Sequence, residues 1–299
     1  MKLCIVGPTD KKSMDIKLLK TAKNIFDSVL YASYSHISFI QTNDLRITFK
    51  NSDLSRFDAI LPRIPKERAM LGYFLLNSLD IYSPMKPQSF LIWSDRLLML
   101  NILQREGLPI PKMYVVDSRE SAMRLLKKGD ISFPLSLKLS KKERGAMLAN
   151  SEKEFKAMLD TLQSFNEPIC MEEFFDSDYI QAFVIGNTVV GAVKRIPKEK
   201  QDIFHGKGER RRIKIKPSIK ELAIDAARAI KSSFALVTLV DNDRRAVVDV
   251  DLCPIWSMDT LEYDLVRYIF DHTKTREKPI SRFTDFLTGI RSAVKDLLE

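Results

Sequence analysis

Two aspartates in the last third of the chain, Asp249 and Asp251, have the spacing of a metal-binding pair. Side chains alternate between the two faces of a strand, so residues two positions apart lie on the same face. The segment Val247–Pro254 therefore predicts a strand with both carboxylates on one face and apolar side chains, Val248 among them, on the other. Paired carboxylates suit Mg²⁺. A solvated strand edge would give the same pattern, and the segment alone leaves both readings open.

Other residues upstream have chemistry suited to a nucleotide. Lys138 lies near the end of the apolar segment Phe133–Leu139, where a lysine either reaches solvent or is presented to a phosphate. Arg195 ends a predicted hairpin strand and is a candidate for clamping phosphate. The segment Glu172–Phe175 places acids beside aromatic rings. The Glu173 carboxylate could accept a hydrogen bond from an adenine amino group or a ribose hydroxyl. A glutamate at the solvated end of a strand would give the same pattern.

Composition limits the class of protein and of partner. The 299 residues carry a net charge of +9, which favours an anionic partner: nucleotide phosphates, an acidic substrate or nucleic acid. No apolar run is long enough to predict a transmembrane helix. The early Gly7 predicts a buried first strand rather than a signal peptide. The three cysteines are scattered without metal or redox spacing, so we expect a cytoplasmic protein.

Strands and helices alternate in the first part of the chain, which predicts a parallel sheet covered by helices. Strands are predicted at 2–6, 29–32, 37–40 and 58–62, and helices at 15–26 and 70–79. A turn region around Pro84 and Pro87 follows. Ser94 is predicted to cap a helix that Gly107 ends.

The rest of the chain changes from mixed to sheet-like. Ser118 and Ser151 are predicted N-caps, the latter in a capping box with Glu154. Strands are predicted at 133–139, 146–149, 169–175, 179–185, 188–195, 235–240 and 246–252, and helices at 118–128, 151–162, 217–233 and 285–298.

The order of these features along the chain resembles the ATP-grasp fold. A phosphate-facing lysine comes first, followed by a polar loop, an acidic and aromatic hinge, a hairpin and a strand with paired acids. The chain is more similar still to the RimK-like branch, the ATP-dependent glutamate and amino-acid ligases. The resemblance covers nearly the whole chain. The segments that carry it are Asp58–Arg63, Ser94–Leu98, Leu103–Pro111, Phe133–Lys138, Glu173–Gly186, Ala192–Arg195 and Asp249–Pro254.

The resemblance implies an α/β and α+β protein in three parts. These are an N-terminal α/β pre-ATP-grasp domain at 1–88, a small lid subdomain at 89–168 and a large subdomain with the metal strand at 169–299. It also implies an ATP- and Mg²⁺-dependent (or Mn²⁺-dependent) carboxylate–amine ligase that works through an acyl-phosphate. The expected substrates are a small-molecule or peptide carboxylate, itself acidic, and an amino-acid amine. A homo-oligomer is expected by resemblance only.

By the same resemblance, residues of this chain take particular roles. Lys138 and Arg195 would neutralise charge during catalysis, while Asp249 and Asp251 would bind the metal. The residues expected around the nucleotide are Lys138, Lys141, Arg144, Gly145, Glu172, Glu173, Phe174, Phe175 and Asp178. Those expected around the substrate are Arg63, Lys207 and Arg210.

The chain also departs from the family pattern. Thr238 stands where the family has a metal-binding aspartate, and the phosphate loop Ser140–Gly145 has a single glycine. Arg96 replaces the lysine that opens a helix. These departures leave a second hypothesis, a non-catalytic nucleotide-binding or regulatory protein whose basic segment 207–216 binds an acidic or nucleic-acid partner. That segment is either such a site or a solvated strand, and its few aromatic residues argue against nucleic acid.

Overall fold

The computed structural model describes residues 1–42, 45–139, 146–198, 208–242, 244–256 and 260–276. Its strands are β1 (Lys2–Gly7), β2 (Ser28–Ser33), β3 (Ile37–Gln41), β4 (Leu45–Phe49), β5 (Ser52–Asp53), β6 (Ala59–Pro62), β7 (Met113–Val116), β8 (Leu135–Leu139), β9 (Met147–Ala149), β10 (Ile169–Glu173), β11 (Tyr179–Ile185), β12 (Thr188–Ile196), β13 (Glu209–Arg212), β14 (Phe234–Asp241) and β15 (Arg245–Asp251). Its helices are α1 (Ser13–Lys23), α2 (Ala69–Ser78), α3 (Pro87–Ser94), α4 (Arg96–Arg105), α5 (Arg119–Lys127), α6 (Glu152–Gln163), α7 (Pro217–Ala229) and α8 (Leu261–Thr275).

The N-terminal strands form a parallel sheet in the order β2-β1-β6. β1 and β6 are almost wholly apolar and buried, as strands covered on both faces are in parallel sheets. The predicted parallel sheet is confirmed, but β3 does not join it. It pairs with β4 and β5 in a separate antiparallel sheet.

A four-stranded antiparallel sheet, in the order β7-β10-β8-β9, has a hydrophobic core of its own. Its inward side chains pack with those of α5 and α6, Phe155 and Leu159 among them. Ser118 and Ser151 cap these two helices as predicted, each accepting from a backbone N–H three residues later. The capping box is only half formed, because Glu154 accepts from Asn150 N rather than from Ser151 N.

A five-stranded antiparallel sheet follows, in the order β13-β12-β11-β14-β15. Helix α7 packs on one face of it, and α8 packs between this sheet and α1. One continuous hydrophobic core joins this sheet to the N-terminal sheet. The opposite face of the five-stranded sheet lines a cavity.

The region before α4 differs from its prediction. Pro87 starts a helix, α3, instead of a turn, because proline at the first helical position gives up an N–H that has no partner there anyway. Ser94 ends α3 and donates to Leu91 O, so it does not cap the next helix. The cap of α4 is Asp95, whose carboxylate accepts from Leu98 N. Gly107, at φ 77°, ends α4 as predicted.

The predicted domain limits 1–88, 89–168 and 169–299 stay predictions. β10, just after the second limit, pairs with β7 and β8 from before it. The predicted helix 285–298 lies outside the described residues. Within the described ranges, no helix is both long and apolar enough to cross a membrane.

Candidate active site

A cavity of about 740 Å³ lies where the three main sheets meet. Each sheet contributes to its walls: residues after β6 from the N-terminal sheet, β8 and β10 from the four-stranded sheet, and β11, β12, β14 and β15 from the five-stranded sheet. The cavity therefore brings together side chains that are as far apart in the chain as Pro8 and Ile255.

The paired aspartates lie on the cavity wall, and an irregularity in the β14–β15 ladder determines which neighbouring side chains face the cavity with them. Thr238 pairs with Asp249 and the next residue of β14 pairs with Val247, so Val248 is the extra residue of a bulge. Asp249 and Asp251 share the cavity face as predicted. The prediction for Val248 is wrong, because the bulge turns it to the cavity as well.

Asp251 is the more deeply buried of the two. Burial raises the pKa of its carboxyl to about 6, against the lowering effect of a hydrogen bond from Cys253 N at 2.8 Å, and Asp249 raises it further. A partly buried carboxylate whose pKa is raised is stabilised in its charged form by a nearby cation. The donor chemistry of this face therefore fits a hard divalent metal.

We expect Asp251→Asn to stabilise the metal-free protein at pH 8. Because the folded-state pKa exceeds the unfolded one, the wild type loses stability as pH rises from about 4 to 6 and carries the full cost above that. The substitution removes this cost, a gain of about 2–3 kcal/mol in the free energy of unfolding. Urea unfolding in EDTA at pH 4 and pH 8 measures it.

The matched control is Asp225→Asn on α7, whose carboxylate is 48% exposed, pairs with Arg228 and lies away from Asp251. The gain for Asp251→Asn should disappear at pH 4, where the wild-type carboxyl is protonated. An equal gain at both pH values, or none at pH 8, contradicts the assignment of this cost to Asp251.

A third metal-binding carboxylate is missing from the described residues, which hold no group of three His, Cys, Asp or Glu side chains suited to a metal. Thr238 occupies the position beside Asp249 on the cavity wall. Its hydroxyl is a weaker ligand than a carboxylate. Among the described residues, a metal at this wall would therefore have Asp249 and Asp251 as its carboxylate ligands.

Lys138 lines the cavity from β8. Burial lowers the pKa of its ammonium group, and the neighbouring Arg96 lowers it further. Among the described residues no carboxylate forms an ion pair with it. Arg195 lines the cavity from β12, is buried, and has its guanidinium 5.4 Å from the ring centre of Tyr179. These two cations give the cavity a site for anionic groups.

Glu172 lines the cavity, but its carboxylate is held by Arg96. Arg96 Nε donates to Glu172 Oε2 at 2.7 Å, and Nη2 of the same guanidinium donates to Oε1. Arg96 also donates to Val248 O at 2.9 Å and lies 3.4 Å from Asp249 Oδ1. Sequence reasoning noted Arg96 only as a replaced lysine and missed that it joins two sheets.

The remaining residues predicted around the nucleotide are placed differently from one another. Glu173 lines the cavity, accepts from Lys112 N and pairs with Arg244 at 2.6 Å. Phe174 and Phe175 line the cavity as well. Asp178 is not among the lining residues, and its carboxylate pairs with Lys194 at 2.7 Å. Lys141, Arg144 and Gly145 lie outside the described residues.

Only one of the predicted substrate residues is seen to line the cavity. Arg63 is buried at the end of the N-terminal sheet and lines the cavity. Arg210 lies on the exposed edge strand β13, opposite Arg195 in the ladder, and does not line the cavity. Lys207 lies outside the described residues. The roles of all these residues stay predictions.

Comparison with known proteins agrees with this geometry. Residues 93–259, more than half of the chain, match the RimK-like ATP-grasp domain. A probable alpha-L-glutamate ligase from Vibrio parahaemolyticus is 24% identical over 260 residues, covering 82% of this chain and 85% of that protein.

Two solved structures share the fold. The RimK domain protein ATP-grasp from Sphaerobacter thermophilus superposes with a TM-score of 0.69 at 16% identity, covering 91% of this chain and 99% of that one. The ATP-grasp ligase PsnB, solved with a phosphomimetic variant of a minimal precursor, Mg and ADP, gives 0.71 at 14%, covering 91% and 98%. The predicted ATP-grasp fold is confirmed, and the chain belongs to the RimK-like ATP-grasp family.

Proposed function

We propose that this protein is an ATP- and Mg²⁺-dependent carboxylate–amine ligase that forms an amide bond through an acyl-phosphate. The relative from Vibrio parahaemolyticus is named a probable alpha-L-glutamate ligase, and PsnB is an ATP-grasp ligase solved with a variant of a minimal precursor, Mg and ADP. The proposal places ATP and an acidic carboxylate substrate in the 740 Å³ cavity, together with an amino-acid amine.

The observation that carries the proposal is the charge arrangement of the cavity. Lys138 is a half-buried cation without a paired carboxylate among the described side chains, and Asp251 is a half-buried acid whose pKa is raised to about 6. Each of these groups is costly to bury alone. A phosphate beside Lys138 and a divalent cation beside Asp251 would offset both costs, and ATP with its metal supplies both.

The reaction consists of two displacements. A carboxylate oxygen of the substrate attacks the γ-phosphorus of ATP; a phosphorus–oxygen bond forms while the bond to the β-phosphate breaks, and ADP leaves. The amine nitrogen then attacks the acyl carbon, phosphate leaves with the bonding electrons, and the amine loses a proton to give the amide.

The side chains act through position and charge. Lys138 and Arg195 face the transferred phosphoryl group from two walls and stabilise the negative charge on its oxygens. Asp249 and Asp251 hold the metal, which when bound neutralises phosphate charge. Arg96 positions Asp249 and keeps Glu172 paired.

We expect Asp249→Asn to weaken ATP binding in Mg²⁺ by about tenfold or more, equivalent to 1.4 kcal/mol, and to leave binding in EDTA unchanged. The physical reason is that the substitution removes one of the two carboxylates available to the metal. Calorimetric titration of ATP with and without Mg²⁺ measures both constants.

The matched control is Asp225→Asn on α7, whose exposed carboxylate pairs with Arg228 away from the cavity. ATP binding that does not depend on Mg²⁺, or an Asp249→Asn variant that binds like the control, is incompatible with the proposed metal site.

Thr238 favours one alternative, a nucleotide-binding protein without catalysis. It stands beside Asp249 in place of a carboxylate, so the described part of the chain offers the metal only Asp249 and Asp251. ADP release in the presence of amino acids and acidic acceptors separates the two functions. Mg²⁺-dependent ATP binding without ADP release across that panel supports the alternative.

A further inference from the structure

Strand β3 lies at the edge of the small antiparallel sheet, outside the cavity. The order of that sheet is β3-β4-β5, and β4 is the only described strand that pairs with β3. Four of the five residues of β3, Ser38–Gln41, are exposed. The edge of such a strand presents backbone N–H and C=O groups that another strand can pair with.

The sequence around β3 carries no charge that would prevent this pairing. Charged residues make up 29% of the chain, yet residues 28–43 contain no Lys, Arg, Asp or Glu. The edge strand of the five-stranded sheet, β13, consists of charged residues only, and all of them are exposed. Natural proteins protect exposed edges with charges, as β13 is protected here. Because β3 lacks this protection, its composition is that of a strand with a partner.

The hairpin that contains β3 also exposes apolar side chains. Phe39 and Ile40 on β3 are each 37% exposed, and Leu45 at the start of β4 is 40% exposed. The hairpin is held in place by Ile47 on β4, which is buried in the main hydrophobic core. An edge that is already ordered loses little conformational entropy when a second strand pairs with it.

The charge of the molecule favours a second copy of the chain at this edge. Each copy carries a net charge of +9, so two copies can approach closely only through an uncharged surface. When identical strands pair antiparallel about a two-fold axis, one residue lies opposite its own copy. Like charges directly opposite each other would destabilise the pair, whereas apolar and aromatic pairs stabilise it. Every residue of Ile37–Gln41 meets that requirement.

Helix α2 offers further apolar surface next to the hairpin. It contacts β4, and its residues Met70 and Phe74, one turn apart, are 49% and 50% exposed. A pair of five-residue strands is small compared with the roughly 800 Å² that each partner buries in a standard interface. We therefore expect α2 to add to the area of contact.

We propose that this protein forms a two-fold dimer in which β3 of one protomer pairs antiparallel with β3 of its partner. The two small sheets then become one continuous sheet. Main-chain hydrogen bonds join the strands, and the apolar side chains of the hairpin pack across the axis. The inference goes beyond the proposed ligase function and does not depend on it, because no residue of β3 lines the cavity.

Sedimentation velocity from about 1 to about 100 μM, the range in which interfaces of modest affinity dissociate, tests the dimer. We expect the wild type to form a dimer and Ile40→Lys to raise its dissociation constant at least tenfold. Ile40 lies opposite the exposed Arg46 of β4, so the folded protomer tolerates a charge there. The matched control is Val115→Lys on β7, another edge strand, where Val115 is 39% exposed. This control should leave the dissociation constant unchanged.

Cysteine cross-linking locates the contact without depending on a destabilising charge. A cysteine is placed in turn at each of the four exposed positions Ser38–Gln41, and the protein is oxidised under mild conditions. At least one of these variants should form a disulfide-linked dimer faster than Val115→Cys, because one position near the axis faces its own copy. The wild type, with its own three free cysteines, gives the background rate.

The inference is overturned if the wild type is monomeric at every concentration, or if Ile40→Lys and Val115→Lys have equal effects on the dimer. Cross-linking at β3 that is no faster than at position 115 overturns it as well. Assembly that continues beyond the dimer also contradicts it, since a two-fold pair leaves no free β3 edge. The ligase proposal is decided separately, by Mg²⁺-dependent ATP binding and ADP release.

Discussion

Replacing Arg96 with methionine is expected to lower the free energy of unfolding by about 3–5 kcal/mol. Arg96 is the only described partner of the Glu172 carboxylate, which is buried at 11% side-chain exposure. Without the guanidinium that carboxylate stays buried and unpaired. The same change removes the donors to Val248 O and Asp249, so one residue fewer links α4 to β10 and β15. Urea unfolding measures the loss.

A surface ion pair provides the matched control. Arg119 pairs with Asp160 at 2.5 Å, with 35% and 61% of the two side chains exposed, so Arg119→Met should cost less than about 1 kcal/mol. Adding Glu172→Met to Arg96→Met should restore much of the stability, because the Glu172 carboxylate is then no longer left buried without its partner. A loss for Arg96→Met no larger than that for Arg119→Met contradicts this account.

Replacing Lys138 with methionine is expected to reduce ADP release by about 10²–10³-fold, the usual cost of removing a charged donor that stabilises a transition state. We expect this substitution not to lower the free energy of unfolding. Burial lowers the pKa of Lys138, so the folded protein disfavours its charged form, and methionine fills the same space without a charge. The variant should therefore unfold at the same urea concentration as the wild type or a higher one.

Lys156→Met is the control for Lys138→Met. Lys156 lies on α6, which packs on the same four-stranded sheet as Lys138. It is 41% exposed and pairs with Glu152, so its loss should leave ADP release unchanged. If Lys138→Met retains ADP release within a factor of three of this control, Lys138 is not part of the phosphate site. A variant that loses both stability and activity points to a structural role instead.

The fold was largely predictable because its elements have strong local signals. Alternating apolar residues predicted β11 and β12, and Ser118 and Ser151 predicted the starts of two helices. The failures occurred where neighbouring elements decide the outcome. Nothing in the local sequence distinguishes Ser94 from Asp95 as a cap, because both residues can accept from a backbone N–H.

The candidate site was predictable in its acids and lysine but not in its connections. Spacing alone predicted that Asp249 and Asp251 share a face, yet the bulge that adds Val248 to that face depends on the register of β14. The pairing of Arg96 with Glu172 joins residues 76 positions apart, and the contact of Arg63 with Pro254 joins residues 191 apart. Local periodicity carries no information about contacts at such separations.

The division of the hydrophobic interior has a consequence for how this protein can diverge. The four-stranded sheet that carries Lys138 packs on its own core, while the N-terminal sheet and the acid-bearing sheet share another. Substitutions within separate cores combine almost additively. Substitutions on one wall of the cavity can therefore accumulate during evolution without repacking the core behind the other wall. The residues that must change together are the few polar ones that connect the two sheets, above all Arg96 with Glu172 and Asp249.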